Sequence, residues 1–149
     1  MSKLWGGRFK KKMNADFERF ERSIQWDIKL LPYDLQIDRV HVKALKKCKV
    51  LTAGEEKKFL SAIEKLESQS KTGSFRLDQN SEDVHSAGGL ALSNKLGTLA
   101  DKLHTARSRN DLVAQSARLY CKDHAKRLLS LMASLQVALV EQAEKSGTL

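Results

Sequence analysis

The sequence predicts an all-α protein, and three observations carry that prediction. Apolar residues recur at intervals of three and four through most of the chain, no period-two alternation reaches strand length, and from Leu112 to Ser146 there is neither glycine nor proline. The expected architecture is a small N-terminal helical domain over residues 1–105, followed over 106–149 by a loop and the first long helix of a larger helical bundle.

Residues 1–12 read as an irregular basic lead-in, because Gly6-Gly7 interrupts any regular element. From about Asn14 to Ile24, Phe17, Phe20 and Ile24 mark one face of a short amphipathic helix. Ser23-Ile24-Gln25-Trp26-Asp27 is a junction in which Ser23 or Asp27 caps the next helix. That second helix, over about 27–47, carries Leu30, Leu31, Leu35, Val42 and Leu45, with Pro32 near its start, where proline is tolerated. Leu51 leads into a third. There Thr52-Ala53-Gly54-Glu55 spells a capping box, Phe59, Ile63 and Leu66 form one buried stripe to about Gln69, and Thr72-Gly73 supplies a glycine C-cap. After a connector over 74–80, the acidic Ser81-Glu82-Asp83 opens a fourth helix that runs to about Leu96 and is closed by Gly97.

The fifth helix, over about 110–145, differs in kind. Its apolar residues, from Leu112 and Val113 through Leu128, Leu131, Leu135 and Val140, cover more than one narrow stripe. At about 1.5 Å per residue it reaches on the order of 50 Å, too long for the preceding domain to cover, so it needs partners.

Composition narrows the function classes. With 41% hydrophobic and 30% charged residues in 149, the chain has enough material for a core-bearing domain. No apolar stretch approaches the roughly 20 residues that span a bilayer, and the first residues lack the apolar core of a signal peptide. Cys48 and Cys121 have no zinc-type spacing and fall in helical patterns as small apolar side chains, so the expectation is a reduced, cytoplasmic protein. The +9 charge raises nucleic-acid binding. The lysines are spread over several helices and interleaved with Asp and Glu, without aromatic interleaving or a recognised binding module, so solvated helix faces are favoured.

The richest chemistry precedes the long helix, in Leu103-His104-Thr105-Ala106-Arg107-Ser108-Arg109-Asn110-Asp111. Two guanidinium groups, an amide and several small donors lie beside the positive end of a helix, which suits a dicarboxylate or another compact anion. A second reading of the same residues is a capped helix start, with Ser108 or Asn110 as the N-cap and arginines at the surface.

This run resembles the H-T-x-R-S-R-N-D signature of the argininosuccinate lyase and δ-crystallin family, within the fumarase/aspartase superfamily. The resemblance extends along essentially the whole chain. It includes Leu4-Trp5-Gly6-Gly7-Arg8-Phe9, Phe20-Glu21-Arg22-Ser23-Ile24-Gln25-Trp26-Asp27, Tyr33-Asp34, Leu51-Thr52 and Glu82-Asp83-Val84-His85. It implies the N-terminal part of a homotetrameric enzyme of arginine biosynthesis that splits argininosuccinate reversibly into arginine and fumarate, with no cofactor. Carried over position by position, Ser23 and Asn110 match substrate-binding residues and Arg109 a carboxylate-binding arginine. Thr105, Ser108 and Asp111 shape the signature loop, and Asp27 either orients the site or caps a helix.

A β-elimination also needs a base for the carbon-bound proton and an acid for the departing nitrogen. The family's P-G-Y-T-H and S-S-x-M-P-x-K segments, which supply them, do not occur in these 149 residues. No catalytic residue is therefore assigned here. His85 and His104 are expected to be hydrogen-bonded structural residues, and no metal site is expected, because no carboxylates or histidines have ligand spacing. The isolated polypeptide is expected to be inactive and, through its long helix, to self-associate or fold only in part. A non-catalytic relative that retains fold and assembly is the alternative, and a basic nucleic-acid-binding protein the remote one.

Three places depart from the family pattern. Where G-S-x-A-H is frequent, this chain has Ile37-Asp38-Arg39-Val40-His41, putting charges where small residues pack. Gly88-Gly89 falls inside a helix, at a cost of about 1 kcal/mol per glycine, which predicts a loose element. Leu112 replaces the glutamine that usually follows R-N-D.

Overall fold

A computed structural model describes residues 13–76, 78 and 81–147. The basic lead-in, with its Leu4–Phe9 match, lies outside the described residues. Among those described, every regular element is helical: α1 (Ala15–Glu21), α2 (Ile24–Asp27), α3 (Leu31–Lys47), α4 (Ala53–Lys71), α5 (Val84–Leu96) and α6 (Arg109–Ser146), with 3-10 segments at Ile28–Leu30 and Gly97–His104.

The first predicted helix stops short of Ile24, and the predicted junction over 23–27 contains the short α2. Arg22 and Ser23 break it, and α1 ends at Glu21, held at its start by the Asn14 side chain, which accepts from the Asp16 and Phe17 N–H groups. The expected apolar face does not dock: Phe17 and Phe20 are exposed and only Ile24, on α2, is buried. The second predicted helix starts later than expected, as a 3-10 turn before α3, with Pro32 in the first turn of α3.

From there the periodicity is realised. Leu31, Leu35, Val42 and Leu45 of α3 face Phe59, Ile63 and Leu66 of α4, and all are buried. The Thr52–Glu55 capping box is present in both directions, so α4 begins where its hydroxyl and carboxylate satisfy each other's backbone donors. Gly73 (φ 68) and Gly97 (φ 59) follow α4 and α5 in the left-handed region that suits glycine. Val84, Ala87 and Leu92 of α5 close the core from a third side, joined by Leu103. The 3-10 segment over 97–104, to which the sequence pattern assigns no element, is pinned to the start of α4. Lys102 donates to Glu55 at 2.6 Å, and that bond, helped by the Thr52 donors, holds the Glu55 carboxyl at about 2.

Two departures from the family pattern are absorbed. Arg39 pairs with Glu67 of α4 at 2.6 Å, and Asp38 is buried against Arg107, also at 2.6 Å, so the charges bridge elements rather than separate them. Gly88 packs toward Leu31, whose Cδ1 would lie 3.5 Å from an added methyl. Around Gly89 an added methyl would meet nothing within 4 Å, and α5 is an unbroken helix across both glycines. Leu112, the third departure, is buried under the first turn of α6.

The long helix spans 38 residues, roughly 57 Å at the standard rise. It docks through its first turns only: Leu112 and Ser116 are buried, and Tyr120 packs edge-on to Tyr33 at 6.0 Å with Lys29 above its ring. From Cys121 to Gly147 every residue is exposed, including Leu128, Leu129, Leu131, Met132, Leu135, Val137, Leu139 and Val140. Cys48 and Cys121 are both exposed free thiols; Cys48 caps α3 and Cys121 follows the last docked turn, so neither fills the core as expected.

With free space around it, Gly89→Ala is expected to raise the unfolding free energy by about 0.5–1 kcal/mol, through helix propensity and a less permissive unfolded chain. Urea denaturation followed by circular dichroism measures this; a loss of stability would mean that α5 needs the bare backbone.

Candidate functional site

The N-terminal end of α5 gathers side chains from three distant parts of the chain. Ser23 and Ile24 donate their backbone N–H groups to the Glu82 carbonyl at 2.9 and 3.3 Å. The Ser23 hydroxyl donates to Asp27 Oδ2 at 2.6 Å, and Asp27 Oδ1 in turn accepts the Val84 N–H at 3.0 Å. Asp27 therefore caps a helix, but it is α5, 57 residues away, rather than its own successor in the chain. The proper N-cap of α5 is Asp83, whose Oδ1 accepts the Ser86 N–H at 2.8 Å. Arg109 reaches the same turn: one Nη donates to Asp83 Oδ2 and the other to Ser86 Oγ at 3.3 Å.

Ser23, Asp27 and Arg109 thus converge on residues 82–86. The Arg109 side chain keeps 38% of its surface exposed. Burial pushes the Asp83 carboxyl up, but the Ser86 donors and the Arg109 charge outweigh it and hold it below the usual carboxylate range. The arrangement presents a guanidinium anchored on one carboxylate and still accessible to a second, the geometry that suits recognition of an anion.

The signature loop precedes α6. Ser108 is the N-cap, which decides between the two candidates read from the sequence: its hydroxyl accepts the Asn110 N–H at 3.2 Å, and Asp111 Oδ2 accepts the Ser108 N–H at 3.1 Å. This capping box uses donors that the sequence pattern alone aims at an anion. Asn110 lies exposed in the first turn, with no side-chain hydrogen bond among the described residues. Thr105 is exposed too; its carbonyl accepts from His41 Nε2 at 3.1 Å. Burial and the Arg107 charge hold His41 below the ordinary histidine range, so near neutrality it serves as a neutral donor. Between Thr105 and Arg107, Ala106 takes φ 55, in the left-handed region that costs a side-chain-bearing residue roughly 1 kcal/mol.

Beneath the loop lies a cavity of about 70 Å³, lined among others by Asp34, Asp38, His85, Arg107 and Leu112. His85 Nδ1 and Asp34 Oδ2 are 2.6 Å apart, both side chains almost fully buried. His85 is thus hydrogen-bonded, as the sequence reading expects. Burial pulls its pKa down, but the hydrogen bond and charge of Asp34 more than offset this, and the net displacement is upward. His104 is different: it is exposed and its ring has no hydrogen bond among the described residues. Asp34 Oδ1 is buried without a hydrogen-bond partner among the described residues. The Arg107 side chain, which the capped-helix reading puts at the surface, is only 8% exposed. Burial raises the Asp38 pKa and the Arg107 guanidinium opposes that rise; upward displacement prevails. No group of three or more His, Cys, Asp or Glu able to hold a metal ion occurs among the described residues.

The structure brings Ser23, Asp27 and Arg109 together, and the sequence reading gives no contact to the residues that anchor Arg109, Asp83 and Ser86, or to those that anchor the loop before α6, Asp38 and His41. A signal exists for part of this. Asp34, Asp38 and His41 recur at spacings of four and three along a helix whose neighbouring positions are apolar, as one polar stripe.

Residues 7–148 match the protein family described as Lyase. The chain is 40% identical over 144 residues to an argininosuccinate lyase of Aquifex aeolicus (strain VF5), covering 97% of this chain and 32% of that protein. It is 39% identical over 144 residues to the argininosuccinate lyase of Bacillus subtilis (strain 168), covering 97% and 31%. With the argininosuccinate lyase of Clostridium kluyveri it shares 38% over 147 residues, covering 99% and 34%. The chain spans about a third of the length of these relatives.

The His85–Asp34 pair gives a pH signature. His85 holds its proton more tightly folded than unfolded, so its contribution to stability is complete below the unfolded value of 6.5 and is lost as pH rises through the higher folded value. The difference in urea midpoint between the native chain and His85→Gln is expected to shrink between pH 6 and pH 9. A difference that grows over that window would mean the pair is held with the imidazole neutral.

Proposed function

Because the chain belongs to the lyase family, we propose that it forms the substrate-binding part of an argininosuccinate lyase, which converts argininosuccinate reversibly into arginine and fumarate by β-elimination. The observation that carries the reading is the convergence of Ser23, Asp27 and the accessible Arg109 guanidinium at the start of α5, in a chain whose relatives bear that name. Arg109 takes a substrate carboxylate while Asp83 steadies it from the other side. Ser23 and Asn110 supply further hydrogen bonds, and Asp27, Thr105, Ser108 and Asp111 shape the surroundings. The charge that accumulates on the carboxylate side of the intermediate makes a fixed guanidinium useful in the transition state as well as in binding.

The general acid and base are assigned to segments outside these 149 residues, so the polypeptide alone binds without turning over. The exposed half of α6 supports assembly with further helices, in the tetrameric arrangement the resemblance implies. Among the described residues no helix is long and apolar enough to cross a membrane. The exposed free thiols suit a reducing, cytoplasmic setting, which completes the reading. A non-catalytic relative with the same fold is the second reading, favoured by Leu112, which fills the core where the family pattern has an amide.

Fumarate release from argininosuccinate, followed in the ultraviolet, tests the proposal. The 149-residue chain is expected to show none, whereas its fusion to the remaining two-thirds of the Bacillus subtilis lyase is expected to turn over. Arg109→Lys in that fusion should lower kcat/KM by roughly 100-fold, since an ammonium cannot reproduce two parallel donors. A folded, assembled but inactive fusion would leave the non-catalytic relative as the reading. Separately, sedimentation of the 149-residue chain is expected to show concentration-dependent self-association; an ideal monomer that binds no apolar dye would contradict it.

A further inference from the structure

Asp34, Asp38 and His41 lie on one face of α3, and each grips another part of the chain: His85 on α5, Arg107, and the carbonyl of Thr105. The last two contacts bracket Ala106, the residue held at φ 55. A backbone in that region persists only where its neighbours over-determine it, and here both neighbours are tied to the same helix. The two signature arginines consequently have opposite surroundings. Arg107 is 8% exposed and spent on Asp38, while Arg109, two residues on, is 38% exposed and faces α5.

We propose that Asp38 is a positioning residue: by drawing Arg107 into the core against α3 it fixes residues 105–108, and thereby leaves Arg109 as the guanidinium presented to a substrate carboxylate. Asp38 touches no substrate and acts through Arg107. The identity of the ligand rests on the lyase reading; the fixing of the loop does not.

The test compares the 149-residue chain with Asp38→Asn and Asp38→Glu by amide hydrogen exchange and by titration with succinate, a dicarboxylate probe. The Thr105 and Arg107 N–H groups are hydrogen-bonded to Lys102 and His104, so this loop has protection to lose. Asp38→Asn is expected to speed exchange over residues 103–112 about tenfold, with α4 unaffected, and to weaken succinate binding by a similar factor; Asp38→Glu is expected to restore both. Unchanged exchange in the loop overturns the proposal. So does faster loop exchange with succinate affinity intact, because Asp38 would then be structural only. If the native chain does not bind succinate, the lyase reading fails and loop exchange alone decides whether Asp38 fixes the loop. If Asp38→Asn loses protection throughout, the double variant Asp38→Asn with Arg107→Met, which leaves no unpaired buried charge, is read in its place by the same two criteria.

Discussion

A charge inside a small helical domain is tolerable only when its partner is buried with it, and the pair between Asp38 and Arg107 sets that condition for everything above it. Removing one partner of such a pair costs about 3–5 kcal/mol, because the other is left charged and out of water. Neither side chain exceeds 9% exposure, so the signature loop has no freedom to lift Arg107 out without also breaking the contact with α3. The pair at Asp34–His85 is buried at least as deeply, whereas in Asp83–Arg109 the arginine lies partly at the surface. Charge is thus graded from a structural interior to an accessible rim, and the accessible end is where a ligand carboxylate can compete.

Local features are the ones legible in the sequence. The Thr52–Glu55 box, the glycine stops at Gly73 and Gly97, and the three-four spacing of Leu31, Leu35, Val42 and Leu45 depend on residues within a turn or two of one another, and all are realised. The 3-10 segment over 97–104 escapes such a reading, since an i→i+3 helix leaves no 3.6-residue pattern. Phe17 and Phe20 carry the right spacing for a docked helix but meet no surface to dock on, which no spacing can reveal. The site is half legible for a similar reason. Ser23, Asp27 and Arg109 stand out through their resemblance to a family pattern, whereas the Asp38–Arg107 contact joins residues 69 apart and has no expression in either neighbourhood. Asp38 and Arg39 look like faults in the sequence because their partners are out of view.

The capping residues of α5 illustrate how one helix end serves two purposes. A helix start has donors that lack partners within the helix, and here Asp83 and Asp27 take two of them. Those same carboxylates then organise their surroundings: Asp27 orients the Ser23 hydroxyl and Asp83 orients Arg109. A substitution at either aspartate would therefore be felt twice, as a weakened helix end and as a displaced Ser23 hydroxyl or Arg109 guanidinium. Loss of function and loss of stability would be hard to separate there, in contrast to Asn110, whose exposed side chain holds up nothing.

Ser116 is the last fully buried residue of α6, and its hydroxyl reaches back to the Leu30 carbonyl. Once a growing polypeptide has been made that far, the core of α3, α4 and α5 is complete and can close without waiting for the rest of α6. The apolar residues from Leu128 to Val140 follow in the chain and add nothing to that core, so they reach out as a greasy rod from a body able to fold without them. Folding and covering are then separate events in time: the first is timed by synthesis, the second by how soon another helix is met. During that interval the rod is the part of the molecule that a chaperone would hold.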